Sequence, residues 1–175
     1  MGTSSIVLTV LGADRPGLVE SIARVVAEHG ANWVESRMAH LAGHFAGILR
    51  VEVDAAQAES LAAALRALAD SGLESIVHPD VAPLTPSRQP LVHLDLVGQD
   101  RPGIVREISR VLVAHGVNVE ELQTECVAAA ESGVSLFRAA AKLRLPAGVS
   151  ETALRSALEA VAGDLMVDFE LESEA

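Results

Sequence analysis

Apolar residues recur along this chain in two periods, and the periods predict the elements. Ile6-Val-Leu-Thr-Val-Leu11 is a short, β-branched apolar run that reads as a strand. Leu18, Ile22, Val25, Val26 and His29 then follow at helical spacing. Pro16 suits the first position of that helix, where its missing N–H costs nothing, and Gly30 suits its end. Residues 32–41 read as a second strand, Ala42-Gly43 as a tight turn, and residues 45–53 as a third strand with Phe45, Leu49, Val51 and Val53 in phase. Asp54 with Gln57 matches a capping box ahead of a second helix, whose stripe is Leu61, Leu65 and Leu68. Gly72 ends that helix, and residues 73–78 form a fourth strand. The order is βαββαβ.

The same order then returns. Residues 12–38 read GADRPGLVESIARVVAEHGANWVESRM and residues 98–124 read GQDRPGIVREISRVLVAHGVNVEELQT, with 13 of 27 positions identical at a constant offset of 86 (98 − 12). That spacing is too long for a solenoid unit and suits a duplicated small domain. The second copy predicts a strand at 91–97 and a helix at 102–115 with Ile104, Ile108, Val111 and Leu112 on its face. Strands at 118–128 and 137–145, a helix capped by Ser150 and a strand at 164–172 complete it. Phe45 aligns with Phe137 at an offset of 92, so six residues (92 − 86) are inserted between the second and third strands. The insertion, around residues 129–133, predicts a longer and mobile hairpin tip.

Residues 79–90 hold four of the seven prolines and read as a semi-rigid linker. The expected domains are residues 1–79 and 91–175, joined by 80–90. The expected fold class is α+β: two ferredoxin-like βαββαβ units, each a four-stranded antiparallel sheet with both helices on one face. The expected strand order is 4-1-3-2, which leaves strand 2 as a free edge. Units this small are marginal alone, so packing on each other or on a partner chain is expected.

Composition narrows the partners. Net charge is 13 − 24 = −11, the basic residues are scattered, and there is no Tyr. Phosphate binding needs clustered Lys and Arg, so nucleic acid is not expected as a direct partner. RNA-recognition modules share the βαββαβ order but stack bases on sheet aromatics, which these strands lack. No apolar run approaches the roughly 18 residues that span a bilayer. The N-terminus has no basic region followed by an apolar one, and Ile6 stands where a myristoylation signal has Ser or Thr. Cys126 is the one cysteine, which excludes an internal disulfide and reads as a small hydrophobe on a strand. A cytoplasmic location is expected.

The chemistry concentrates in the repeated Asp-Arg-Pro-Gly turn. The first N–H groups of a helix lack internal acceptors and carry partial positive charge, so they can hold a carboxylate. Gly17 and Gly103 leave room for a ligand to reach the backbone, and Asp14 or Asp100 can accept an ammonium. The turn therefore reads as a receptor for a small zwitterion. The candidate residues are Gly12, Ala13, Asp14, Arg15, Gly17 and Leu18, and in the second copy Gly98, Gln99, Asp100, Arg101, Gly103 and Ile104.

A structural reading stands beside this one. Asp caps the helix, Gly permits close packing, Arg15 and Arg101 pair with acidic neighbours, and Asn32 and Asn118 set the turn into strand 2. His29 and His115 cap or pack at the helix end, while His40 and His44 flank a turn without further metal ligands. Glu35 and Glu121 can pair with Arg24 and Arg110. Neither a Ser-His-Asp pattern, a P-loop, a dinucleotide fingerprint nor a metal cluster occurs. Enzymatic activity and a cofactor are not expected.

Two βαββαβ units, each opening strand–Gly-x-Asp-Arg-Pro-Gly–helix with His-Gly-x-Asn after the helix, resemble tandem ACT domains. The likeness covers about residues 5–173 and is strongest to two-ACT regulators of the glycine cleavage type, through Leu41-Ala-Gly-His-Phe45 and Glu131-Ser-Gly-Val-Ser-Leu-Phe137. It implies amino-acid binding at interfaces between ACT units, with Asn32 and Asn118 beside the two turns. It implies association through edge strands, here a homodimer, and action through a protein partner such as a transcription factor. Glycine or serine are the first ligands it suggests. It also allows a ligand-free dimerisation module that regulates a metabolic enzyme.

Overall fold

The computed structural model describes residues 2–79, 89–128, 134–161, 163 and 166–171. The chain divides into two compact units, Met1–Thr85 and Pro86–Ala175. The first contains β1 (Thr3–Ala13), α1 (Leu18–Glu28), β2 (Asn32–Leu41), β3 (His44–Asp54), α2 (Ala58–Arg66) and β4 (Leu73–Pro79). The second contains β5 (Leu91–Gln99), α3 (Ile104–Ala114), β6 (Asn118–Ala128), β7 (Ser135–Arg144), α4 (Glu151–Val161) and β8 (Met166–Leu171). The sheets run β2-β3-β1-β4 and β6-β7-β5-β8, all neighbours antiparallel, which is the expected order with β2 and β6 at the edges.

Alternation along the central strands decides which face of each sheet carries the helices. Ile6, Leu8 and Val10 of β1 point inward with Leu49, Val51 and Val53 of β3 and meet Leu18, Ile22 and Val26 of α1. Leu61 and Leu65 of α2 complete that core. In the second unit Val92, Leu94 and Leu96 meet Ile104, Ile108 and Leu112 of α3, and Leu154 and Leu158 of α4. Burial of one such side chain is worth roughly 1.5–3 kcal/mol, so the two stripes fix the helices to the sheets. Both edge strands carry a bulge at the same place, between Trp33 and Glu35 and between Val119 and Glu121. A bulge there twists the edge and limits open-ended pairing.

Some boundaries differ from expectation. Pro16 is not the first helical residue: Gly17 is the N-cap and α1 starts at Leu18. The capping box at Asp54 and Gln57 is not formed. Instead the Asp54 carboxylate accepts the Ala56 N–H at 2.9 Å, an Asx turn, and Gln57 is the N-cap without a side-chain bond. α2 stops at Arg66, a 3₁₀ turn spans Ala67–Ser71, and Gly72 closes it at φ 81°. Ser150 does cap α4, its Oγ accepting the Ala153 N–H at 3.2 Å. The inserted hairpin tip at 129–133 and linker residues 80–88 lie outside the described residues.

Candidate functional site

The two β1–α1-type turns share one backbone. Gly17 sits at φ 91°, ψ 1° and Gly103 at φ 91°, ψ −4°, each as N-cap of the following helix. A Cβ added at either would meet nothing within 4 Å. These glycines are therefore required by the left-handed backbone and not by close helix–sheet packing, and the space beside them is open. Neither N-cap supplies a side-chain hydrogen bond. No bond runs from the Asp14 or Asp100 side chain to a helix N–H among the described residues, so at the first turn the leading N–H groups keep their capacity for an external anion. The first i+4 bonds run from Ser21 N–H to Gly17 O at 2.9 Å and from Glu107 N–H to Gly103 O at 3.0 Å.

Gly12 answers a different need. Its Cβ would stand 2.6 Å from the Gly72 carbonyl oxygen, where β1 and the start of β4 close on each other. Gly98 holds the corresponding register position, opposite Phe137 as Gly12 is opposite Phe45.

Each turn is anchored to the hairpin that follows it in the sheet. The Asp14 N–H donates to Gly43 O at 2.9 Å and the Asp100 N–H to Ser135 O at 3.0 Å. In the first copy Ala42 and Gly43 both have positive φ, as a two-residue type I′ hairpin requires. These anchors hold both aspartates at the sheet end, with Asp14 partly exposed 3.7 Å from His40 Nε2. The matching position in the second copy is Cys126 (40 + 86), beside Asp100, which also accepts Ser135 Oγ at 3.3 Å. Cys126 is exposed on β6, so it is not a packed hydrophobe. Desolvation first, then the charge of Asp100 and a hydrogen bond to it, push the thiol above its ordinary value. The thiol stays protonated at neutral pH and is a weak nucleophile.

The arginines diverge. Arg15 donates from Nη2 to the Ser71 carbonyl at 2.7 Å and ties the first turn to the segment before β4. Arg101 forms a bidentate pair with Glu107, at 3.0 and 2.5 Å. One substitution explains the split: position 21 in the first copy is Ser where the second has Glu107 (21 + 86). The pairing with an acidic neighbour expected of both arginines thus occurs, among the described residues, not in the first copy but in the second. There the Ile104 N–H also leans to Arg101 O at 3.3 Å, a bond without a counterpart at the first turn among the described residues.

The Arg101 hydrogen bond is the main cause that holds the Glu107 carboxyl below its ordinary value of 4.5, with the charges of Arg101 and Arg110 adding to it against some desolvation. A carboxylate depressed in the folded state binds its proton more readily unfolded, so its contribution is full above the unfolded pKa. It is lost as pH falls through the folded pKa. Glu107→Gln is therefore expected to lower stability at neutral pH and to converge with the parent in acid. Urea unfolding followed as a function of pH checks this; parallel curves that never converge would show that Glu107 is not the titrating group.

Asn32 and Asn118 do not lie beside the turns of their own units. Asn32 is opposite Glu52, which is opposite Ser5, seven register positions from Gly12 (12 − 5). Asn118 is opposite Arg144, which is opposite Leu91, again seven from Gly98 (98 − 91). At the rise of a strand that is about 24 Å. The reason is the helix, whose 11 residues carry the chain back down the sheet before β2 begins. Asn118 instead donates to Glu120 at 2.9 Å. Glu35 and Glu121 also find other partners than expected, Arg50 at 3.5 Å and Lys142 at 4.0 Å, each across the β-ladder, while Arg24 pairs with Glu20 on its own helix. His29 and His115 do cap their helices, each Nδ1 lying 2.8 Å from the carbonyl four residues back.

Ser71 and Glu107 were not named by sequence, and His40, Gly43 and Ser135 were named only for the hairpins and not for the turns they meet. The repeat offsets could have found some of them: His40 matches Cys126 at 86, and Gly43 matches Ser135 at 92. Among the described residues no cluster of three His, Cys, Asp or Glu could hold a metal. No helix there is long and apolar enough to cross a membrane. A depression of about 470 Å³ lies on the helix-free face of the second sheet, lined by Asp95, Gln123, Glu125 and Arg138 among others; no residue of Gly98–Gly103 lines it.

Known proteins agree with this architecture. The ACT domain family matches residues 4–74. The glycine cleavage system transcriptional repressor of Escherichia coli (strain K12) is 26% identical over 165 residues, covering 91% of this chain and 85% of that protein. The crystal structure of an unknown protein from Galdieria sulphuraria superposes with a TM-score of 0.85 at 30% identity, over 98% of this chain and 100% of that one. A candidate glycine cleavage system transcriptional repressor of solved structure shares the fold with a TM-score of 0.71 at 17% identity, over 98% of this chain and 100% of that chain. The first unit is thus an ACT domain, the second repeats its βαββαβ fold, and the chain is a distant homologue of the glycine cleavage system transcriptional repressors.

Proposed function

We propose that this protein is an amino-acid-responsive regulator, without catalysis of its own, that acts through protein–protein contacts, in transcriptional control of the glycine cleavage type. The observation that carries the reading is the first turn. There a glycine N-cap at φ 91° leaves helix N–H groups uncapped in open space, and the same turn carries the partly exposed Asp14 carboxylate, 3.7 Å from His40. The N–H groups take the ligand's carboxylate and Asp14 takes its ammonium. Glycine and serine are the first ligands to test, on the likeness to regulators of the glycine cleavage type.

The far placement of Asn32 agrees with a site completed by another ACT unit. When two β2 edges pair antiparallel, the Asn32 end of one strand comes beside the Leu41 end of the other. The asparagine then faces the turn of the neighbouring copy. The second turn is more occupied by its own residues, through Arg101 with Glu107 and Asp100 with Ser135. In the same unit, Val105, Val119 and Leu122 are exposed between α3 and the β6 edge. We assign binding to the first unit and scaffolding to the second.

Asp14→Asn tests this. The side chain is partly exposed, so the fold is retained. Calorimetric binding of glycine and serine is expected to weaken at least about tenfold, the loss of one charge-assisted bond. Asp100→Asn is expected to leave binding unchanged. Equal losses in both variants would contradict the assignment to the first unit, and undiminished binding in Asp14→Asn would remove the carboxylate from the site.

A further inference from the structure

On the face of the first sheet that carries no helices, the rows of Thr9 and Leu11 are apolar between the strand edges, while the rows of Val7 and Ser5 carry Arg50, Glu35, His78 and Glu52. Register places Leu11, Thr9, Ile48, Ile76, Ala46 and Leu41 on that face, and Leu11, Ile48, Ile76 and Leu41 are 48%, 56%, 62% and 79% exposed. Ile48, Thr9 and Ile76 form one row across three strands. The same row of the second unit holds the exposed Asp95 beside Ala140. The duplicated fold does not require an apolar face, since the second copy keeps its fold with charges there. The hydrophobic row in the first copy calls for a different cause, and contiguous exposed apolar surface of this kind marks an interaction site.

Its charges identify the partner. Arg37, on the β2 edge, continues the row of Ile48, and Glu74, on the β4 edge, continues the row of Leu11. Neither has a hydrogen-bond or ion-pair partner among the described residues. The two lie at opposite edges and two residues apart along the strand direction. A twofold axis parallel to the strands, in the plane between two stacked sheets, reverses the edges and keeps the rows. It brings Arg37 of one copy over the β4 edge of the other, next to Glu74, and does so twice. Stacked sheets sit about 10 Å apart and residues i and i+2 about 7 Å apart, within reach of an arginine and a glutamate. The pair is absent from the second unit, where Gln123 stands at the Arg37 position (37 + 86) and Met166, opposite Val97, at the Glu74 position.

We propose that this face of the first sheet is a self-association surface that takes the same face of a second copy of the chain. The interface is isologous, with an apolar centre and two symmetric Arg37–Glu74 pairs at the rim. The four strands hold 11, 11, 10 and 7 residues, so the whole face, its charged rows included, is roughly 600 Å² at strand rise and spacing, below the 800 Å² a side of a standard interface. This contact is distinct from pairing at the β2 edge and does not depend on ligand.

Sedimentation of the full chain over a concentration series tests it, with Ile48→Asp, Arg37→Glu, Glu74→Arg and the double variant Arg37→Glu/Glu74→Arg. Ile48 is exposed, so its replacement spares the core, and circular dichroism verifies the fold. Ile48→Asp is expected to halve the assembled mass and raise the dissociation constant by roughly a hundredfold. Each single charge reversal is expected to weaken assembly, and the double reversal to restore it. An unchanged mass and dissociation constant in Ile48→Asp would overturn the proposal, whether or not the melting temperature falls, because the face would then serve another partner. A wild-type chain that stays monomeric throughout would overturn it as well.

Discussion

Ile22→Ala is expected to lower the stability of the first unit by about 2–5 kcal/mol, the range for deleting a fully buried branched side chain. Ile22 is 0% exposed and lies at the centre of the α1 stripe, between Leu18 and Val26. Its loss combines the transfer energy of the removed carbons with a cavity that β1 and β3 cannot close without breaking their ladder. The effect can be read locally. Trp33 is the one tryptophan and packs against the first core, so its fluorescence follows that unit during urea unfolding. The midpoint is expected to fall with the slope unchanged. A midpoint that does not move would mean that α1 is not held by this stripe, and the geometry of the turn it presents would lose its explanation.

Gly12→Val is expected to cost the first unit up to about 3 kcal/mol, the upper end for overpacking. The first atom its Cβ meets is the Gly72 carbonyl oxygen at 2.6 Å, followed by Leu73 Cδ1 at 3.3 Å and Leu73 Cα at 3.5 Å. The backbone of β4 cannot step aside as a flexible side chain can, because Gly12 and Leu73 are ladder partners. The two glycines of one hexapeptide therefore matter for separate reasons, space at Gly12 and dihedral angle at Gly17. The same Trp33 midpoint measures the change. A loss below about 0.5 kcal/mol, the level of an ordinary surface substitution, would contradict the close approach.

The fold was legible because local and long-range patterns agreed. The stripe Leu18–Ile22–Val26 and the alternation Ile6–Leu8–Val10 each announce their period, and the 86-residue offset states the architecture twice. Helix ends were less so. Pro16 looked like a first helical residue, but the demand for positive φ at the N-cap moves the start to Leu18, and only the backbone reveals that demand.

At the site, the aspartates and glycines could be named from the repeat, but their surroundings could not. Arg15 and Arg101 occupy one repeat position and bind different groups, because Ser21 offers no charge where Glu107 does and Arg15 reaches the carbonyl of Ser71 instead. Asn32 was placed near the turn by likeness to other proteins. An antiparallel ladder puts it at the far end of its own sheet, a consequence of helix length and strand direction that no short motif encodes.

The central claim is that the first turn of the first unit holds a small amino acid, and thermal unfolding of the full chain in glycine and in serine tests it most directly. Ligand at 100 times its dissociation constant adds about 2.7 kcal/mol to the folded state. At roughly 2–4 °C per kcal/mol, a rise of several degrees is expected, selective among amino acids and lost in Asp14→Asn. A melting temperature that responds to no amino acid in a well-folded protein would contradict the account and leave the ACT units as an interaction scaffold.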